Sequence, residues 1–132
     1  MKHLQAILFS LVLAFTLFSF RQNSDLKESM ARGKEIFISN CVTCHRQNGE
    51  GIEGVYPPLA KSDYLMGNKI RGIKQILEGA SGPMVVNGVE YNGFMEGFDL
   101  SDKEVSDVLN YIRNSWDNNG EIVTPEEVKS VR

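Results

Sequence analysis

Apolar and polar positions divide this chain into stretches of different character. The first is an almost unbroken apolar run from Leu4 to Phe20, interrupted only by Gln5, Ser10, Thr16 and Ser19 and preceded by Lys2 and His3. A short basic start followed by such a run predicts an export signal, and its length sits at the lower edge of a membrane span. The nearest thing to a cleavage site is Leu17-Phe18-Ser19, and no cysteine follows the run directly to take a lipid. Residues 1–20 are therefore read as a signal peptide or an N-terminal anchor, with a possible membrane tether through 4–20. Both readings put the rest of the chain outside the cytoplasm, in the periplasm, free or held at the inner membrane.

The next stretch changes period. Leu26, Met30, Gly33 and Phe37 lead into Cys41 at spacings of four, three, four and four, which is one stripe of a helix over about 25–40. Asp25 followed three residues later by Glu28 has the form of a capping box. A glycine inside a helix costs about 1 kcal/mol, so Gly33 predicts close approach of another helix. Residues 46–61 are rich in glycine and proline and read as a loop. Asp63 to Met66 forms at most one turn. Ile70, Ile73, Ile76 and Leu77, with Gly79 as the stop, predict a helix over 68–78.

Met84 to Tyr91 reads as a two-stranded hairpin about Asn87-Gly88, followed by a loop over 92–100. Ser101 and Glu104 form a capping box, and Val105, Val108, Leu109, Ile112 and Trp116 give the helix after it one apolar face. Thr124-Pro125-Glu126-Glu127 has the form of one more helix start. The segment 117–132 is expected to be a loosely packed tail, leaving 24–116 as the domain. The fold class is all-α: three main helices with a short β-hairpin.

Composition adds little to this picture. With 42% hydrophobic and 23% charged residues, neither a disordered nor a repeat protein is implied. Without residues 1–20 the chain keeps 13 Lys and Arg against 17 Asp and Glu, a mildly acidic balance that does not favour nucleic acid.

The candidate chemistry lies in Cys41-Val42-Thr43-Cys44-His45, which holds both cysteines of the chain. A disulfide across so short a loop would staple almost nothing. A thioredoxin-like pair would want a preceding strand, where this sequence has a helix. Zinc needs about four ligands, and the only other histidine is His3, in the signal. C-x-x-C-H is the attachment signature of c-type haem. On a helical turn the two thiols point to one side, where they can add to two vinyl groups, and His45 offers an imidazole to the iron. A single covalent haem c fits every part of the motif. It also supplies the apolar body a small domain needs, so the chain is expected to fold poorly without it.

A ligand opposite His45 would have to be a methionine. Met30 sits on the helical stripe and reads as packing, and Met66 is a weak candidate. Met84 opens the hairpin. Met95 lies between Gly93 and Gly97, in a stretch able to approach a flat porphyrin closely, and is preferred.

The order of these parts resembles class I c-type cytochromes, the small bacterial monohaem type, over about residues 27–116. The resemblance rests on Gly33 and Phe37, Cys41 to His45, Tyr56-Pro57-Pro58-Leu59, Met95, and the last helix with Tyr111 and Trp116. It implies that the first and last helices cross, with Gly33 and Phe37 against Tyr111. It also implies that a carbonyl of the proline loop, best Pro57, accepts the His45 Nδ1–H. The implied function is transfer of single electrons between redox protein partners (an oxidase, reductase or dehydrogenase) rather than enzymatic turnover. A haem subunit of a larger complex and an open-site haem sensor or enzyme are the alternatives. Many relatives have proline after the ligand methionine; here stands Glu96, and a carboxylate near an iron lowers its potential.

Overall fold

The computed structural model describes Phe9 and residues 25–132. The run 4–20, with its expected signal or anchor, lies outside the described residues apart from Phe9. Among the described residues no helix is long and apolar enough to cross a membrane.

Helix α1 covers residues 25–40 and runs into the short helix α2, Val42–His45. A loop leads to α3, Asp63–Gly67, capped by the Ser62 hydroxyl, and to α4, Lys69–Glu78, capped by Asn68. Strands β1, Ala80–Val86, and β2, Val89–Met95, form an antiparallel hairpin. Helix α5, Asp102–Arg113, starts at the complete Ser101–Glu104 capping box, and α6, Pro125–Val131, at a second one, Thr124–Glu127. The architecture is helices around one core with a small ribbon on it, as the pattern predicts.

Gly33 is where α1 meets α5. A Cβ there would lie 1.9 Å from the Asp107 carbonyl oxygen and 2.9 Å from the Val108 nitrogen. The buried stripe of α1 is Ser29, Gly33 and Phe37, while Leu26 and Met30 are only half-buried. A serine can hold a core position because it is satisfied: Ser29 Oγ donates to Asp107 Oδ1 at 2.6 Å and accepts from Asn110 Nδ2 at 2.9 Å. Below the crossing, Phe37, Tyr111 and Trp116 form an aromatic trio with centroids 5.2–5.5 Å apart. Such tilted and edge-on pairs suit the ring quadrupoles.

Three local expectations are corrected. The hairpin is longer than 84–91: Gly82 pairs with Gly93 and Ala80 with Met95, so the predicted loop over 92–95 is strand. Asn87 and Gly88 at its tip both take positive φ, the requirement of a type I′ turn. Trp116 keeps its place against Phe37 from outside the helix: α5 ends at Arg113, and Trp116 has φ 54°. The segment after residue 116 is not a loose tail. Val123 and Val128 are 1% and 0% exposed within the core, and the Val123 backbone is held from both sides by the Asn110 amide, at 2.7 and 2.9 Å.

Candidate functional site

The C-x-x-C-H motif occupies one helical turn. Cys41 N still bonds to Phe37 O at 2.8 Å, and His45 N bonds to Cys41 O at 2.9 Å, so the turn continues the line of α1. Cys41 and Cys44 form no disulfide with each other. Burial, with Cys44 beside it, pushes the Cys41 thiol up to about 11. In the chain alone that sulfur is protonated at neutral pH.

Arg46, with φ 66°, then turns the chain out of the helix. The loop folds back on itself: Gly51 N bonds to His45 O at 3.0 Å, and Ile52 and Tyr56 bridge each other. This delivers the Pro57 carbonyl to the ring of His45, with Nδ1 and oxygen 2.9 Å apart. A carbonyl only accepts, so this contact selects the tautomer with the proton on Nδ1 and leaves the Nε2 lone pair free to bind a metal. Burial lowers the His45 pKa and outweighs the opposing bond to Pro57, which also keeps the imidazole neutral. Gly51 is required at the fold of the loop: its φ is +63°, and a Cβ would sit 2.3 Å from Tyr56 O and 2.8 Å from Pro57 O.

Cys41, Cys44, His45 and Pro57 line a cavity of about 310 Å³. Helices α3, α4 and α5 supply apolar walls through Leu65, Ile76, Val108, Leu109 and Ile112. Two methionines line it, Met84 and Met95, both from the hairpin; Met30 and Met66 do not. In the register, positions 80, 82, 84 and 86 of β1 share a face with 89, 91, 93 and 95 of β2. This common face explains why both methionines reach the cavity. The backbone beside Met95 is further fixed by two glycines. A Cβ at Gly79 would meet Met95 O at 2.3 Å, and one at Gly97 would meet Leu77 O at 2.6 Å. The sequence carried this signal, since Gly79 and Gly97 bracket the segment that forms the hairpin, but Gly79 reads there only as a helix stop.

These residues fit a haem. The interior is apolar, as a porphyrin face requires, and the two thiols and one imidazole leave a single turn of helix. A polar recess adjoins the cavity, sharing Tyr64, Gln75, Ala80 and Met84 with it and adding Arg71 and Lys74. There the buried Nε of Arg71 has no hydrogen-bond partner among the described residues, although its Nη2 reaches Tyr64 O. An unpaired buried cationic donor beside an apolar cavity suits a ligand that is apolar with acidic side arms.

Comparison with known proteins agrees with this geometry. The sequence model of the cytochrome c family matches residues 30–116. The chain is similar to cytochrome c-552 of Thermus thermophilus, 37% identical over 127 residues, covering 89% of this chain and 85% of that protein. It is also similar to the cytochrome c subunit of a quinone-dependent alcohol dehydrogenase from Gluconobacter oxydans, at 28% identity over 76% of this chain but 22% of that subunit. A third relative is the cbb3-type cytochrome c oxidase subunit FixP of Azorhizobium caulinodans, at 32% identity over 67% of this chain and 30% of that subunit. The chain therefore belongs to the cytochrome c family, and its cofactor is a covalently attached haem c with its iron.

Proposed function

We propose that this protein is an exported carrier of single electrons, with the haem held by thioethers from Cys41 and Cys44 and the iron ligated by His45 and Met95. The observation that carries this reading is that His45 and Met95 line one cavity with both motif cysteines. The bound haem supplies a one-electron couple. The protein's part is to hold it. The Pro57 carbonyl orients the His45 ring and strengthens it as a donor. The glycines at 79 and 97 fix the backbone at Met95. A thioether ligand favours the reduced iron and raises the potential. With His45 and Met95 both donating to it, the iron would be held by protein groups alone, so little would rearrange on electron transfer and no site would stay open for oxygen or peroxide. Partners would be redox proteins of the periplasm or inner membrane, reached through export directed by residues 1–20.

Spectra of the holoprotein test this. The ferric form should show the weak sulfur-to-iron band at the red end of the visible range. Met95→Ala should abolish it and open the reduced protein to carbon monoxide, whereas Met84→Ala should keep it. Loss of the band in Met84→Ala alone would move the ligand to the other hairpin strand. A second reading, a dedicated haem subunit of a larger enzyme, is favoured by the similarity to dehydrogenase and oxidase subunits. Copurification of a stoichiometric partner from native membranes would establish it.

A further inference from the structure

Hydrogen bonds fasten the hairpin β1–β2 to the rest of the chain at its base and at its tip. At the base, Gly79 N donates to Gln75 O at 3.0 Å and Phe98 N to Ile76 O at 2.8 Å. At the tip, Asp63 N donates to Asn87 Oδ1 at 3.0 Å, and Asn87 N donates back to Asp63 Oδ1 at 2.8 Å. Among the described residues no other hydrogen bond or salt bridge joins 80–95 to another segment.

The packing of the ribbon explains why its tip matters. Val86 and Tyr91 are 1% and 4% exposed, but they line the cavity and stand outside the core built by Phe37, Ile73 and Leu109. Met84 and Met95 lie on that same face. A two-stranded ribbon is marginal by itself in water. This one is a strap along one wall of the cavity, and it depends on its two fastenings and on what the cavity holds.

The post to which the tip is tied is firm. Asp63 opens α3 directly after the Ser62 cap, and its carboxylate also accepts from Tyr64 N at 2.6 Å. Helix α3 is bonded in turn to α4 and α5: Arg71 Nη2 donates to Tyr64 O, and Arg113 Nη1, from a buried side chain, donates to Leu65 O at 2.7 Å. On the other side, the turn asks only for positive φ at position 87, which glycine meets equally well. Asparagine adds the side-chain oxygen that Asp63 N uses.

We propose that Asp63 and Asn87 form a latch that positions Met95; the proposal rests on the reading of Met95 as the iron's ligand. Closed, the latch holds the strap so that the thioether stays on the iron. Open, it frees the tip, the strap lifts and Met95 leaves. Both are positioning residues, and neither lines the cavity. The latch sets how often the iron becomes accessible to a small outside ligand and leaves the resting ligand set unchanged.

Two readouts on the ferric holoprotein test this. The first is displacement of Met95 by imidazole, followed by stopped-flow loss of the red band. The bond from iron to the Met95 Sδ breaks, one to an imidazole nitrogen forms, and the iron stays ferric. With imidazole in excess the rate becomes that of strap opening. Asn87→Gly and Asp63→Ala should raise it by about three-fold or more, the effect of a lost exposed hydrogen bond. Asp63→Asn keeps an oxygen for Asn87 N and should restore the native rate. The second readout is amide hydrogen exchange, which should quicken over 80–95 in the first two variants and not over 102–113. Thr124→Ala removes the cap of α6, so it controls for a general loss of stability, and it should leave the imidazole rate and the exchange over 80–95 unchanged. Unaltered exchange over 80–95 in both latch variants, or an unaltered imidazole rate beside quickened exchange, would overturn the latch and leave Met95 as ligand. An equal quickening in Thr124→Ala would do the same. A native ferric form without the red band would overturn the reading of Met95, and this proposal with it.

Discussion

The carbonyl oxygen of Asp107 stands 1.9 Å from where a methyl group at Gly33 would be. No rotamer relieves such a contact, because both partners are backbone. Gly33→Ala should therefore destabilise the holoprotein by about 2 kcal/mol, despite the roughly 1 kcal/mol by which alanine favours a helix. That corresponds to a melting temperature about 10 °C lower. Lys34→Ala, one exposed residue along, should leave the melt within about 2 °C. Melting followed by circular dichroism checks both, and an unchanged Gly33→Ala would mean that the crossing is looser than this.

The same residue makes the crossing pH-dependent through its side chain. Burial pushes the Asp107 carboxyl up, but bonds from Arg32, Lys103 and Ser29 outweigh it and hold the group below its ordinary value. A carboxylate depressed in the folded state stabilises it above its ordinary pKa near 4. That stability is lost as pH falls through the folded value. Urea unfolding should find Asp107→Asn less stable by about 1–2 kcal/mol at pH 7, and the gap should close towards pH 2. Arg32 and Lys103 are half-exposed, so salt should shrink the gap as well. A gap that persists at pH 2 would assign the loss to packing rather than charge.

Much of this was visible in the chain because it is local. Ser101 with Glu104 starts a helix, Asn87-Gly88 turns a hairpin, and a glycine inside an amphipathic helix marks a crossing. Cys41 to His45 declare themselves within one turn. What was not visible depends on distant partners. Asn92-Gly93 lacks strand-forming side chains and reads as loop, yet β1 pairs with it through the backbone, which carries Met95 into the ribbon. The sequence already preferred Met95 and set Met30 and Met66 aside; that Met84 lines the cavity beside Met95 follows only from the register of the hairpin. The His45–Pro57 bond was expected only from the family resemblance, since nothing in a proline pair itself announces an acceptor.

The C-terminal segment was the largest surprise, and it is testable by removal. Val123 and Val128 straddle Pro125, so they show no helical period, and the group that secures Val123 is Asn110, far back in α5. Deleting residues 121–132 uncovers both the valine sites and the Asn110 amide. The cost should be about 3 kcal/mol or more, read as a melt lowered by over about 10 °C, with the haem spectrum unchanged. An unaltered melt would restore the loose tail.

Glu96 follows Met95 and is exposed at the mouth of the cavity. Its charge favours the oxidised, more positive iron. Glu96→Gln should raise the midpoint potential, on the order of 10 mV because solvent screens an exposed group, and the rise should fade at high salt. A redox titration that finds no rise at low salt would remove Glu96 from the determinants of potential.

The Pro57 carbonyl cannot be deleted by a side-chain change, but it can be displaced. A methyl group at Gly51 would press on it at 2.8 Å, and on Tyr56 O at 2.3 Å. Weakening the bond from His45 Nδ1 makes the imidazole a poorer donor, which favours the reduced iron. Gly51→Ala should therefore raise the midpoint, on the order of 20 mV, since a hydrogen bond contributes about 1 kcal/mol and only part of it differs between the two oxidation states. The substitution also forces alanine to φ +63°, so stability must fall. Gly54→Ala separates the two effects: its φ is +72°, and nothing lies within 4 Å of the added carbon. Both variants should melt earlier, but only Gly51→Ala should shift in potential. Equal shifts would trace the change to loop strain, and no shift in either would show that the carbonyl at Pro57 orients His45 without tuning it.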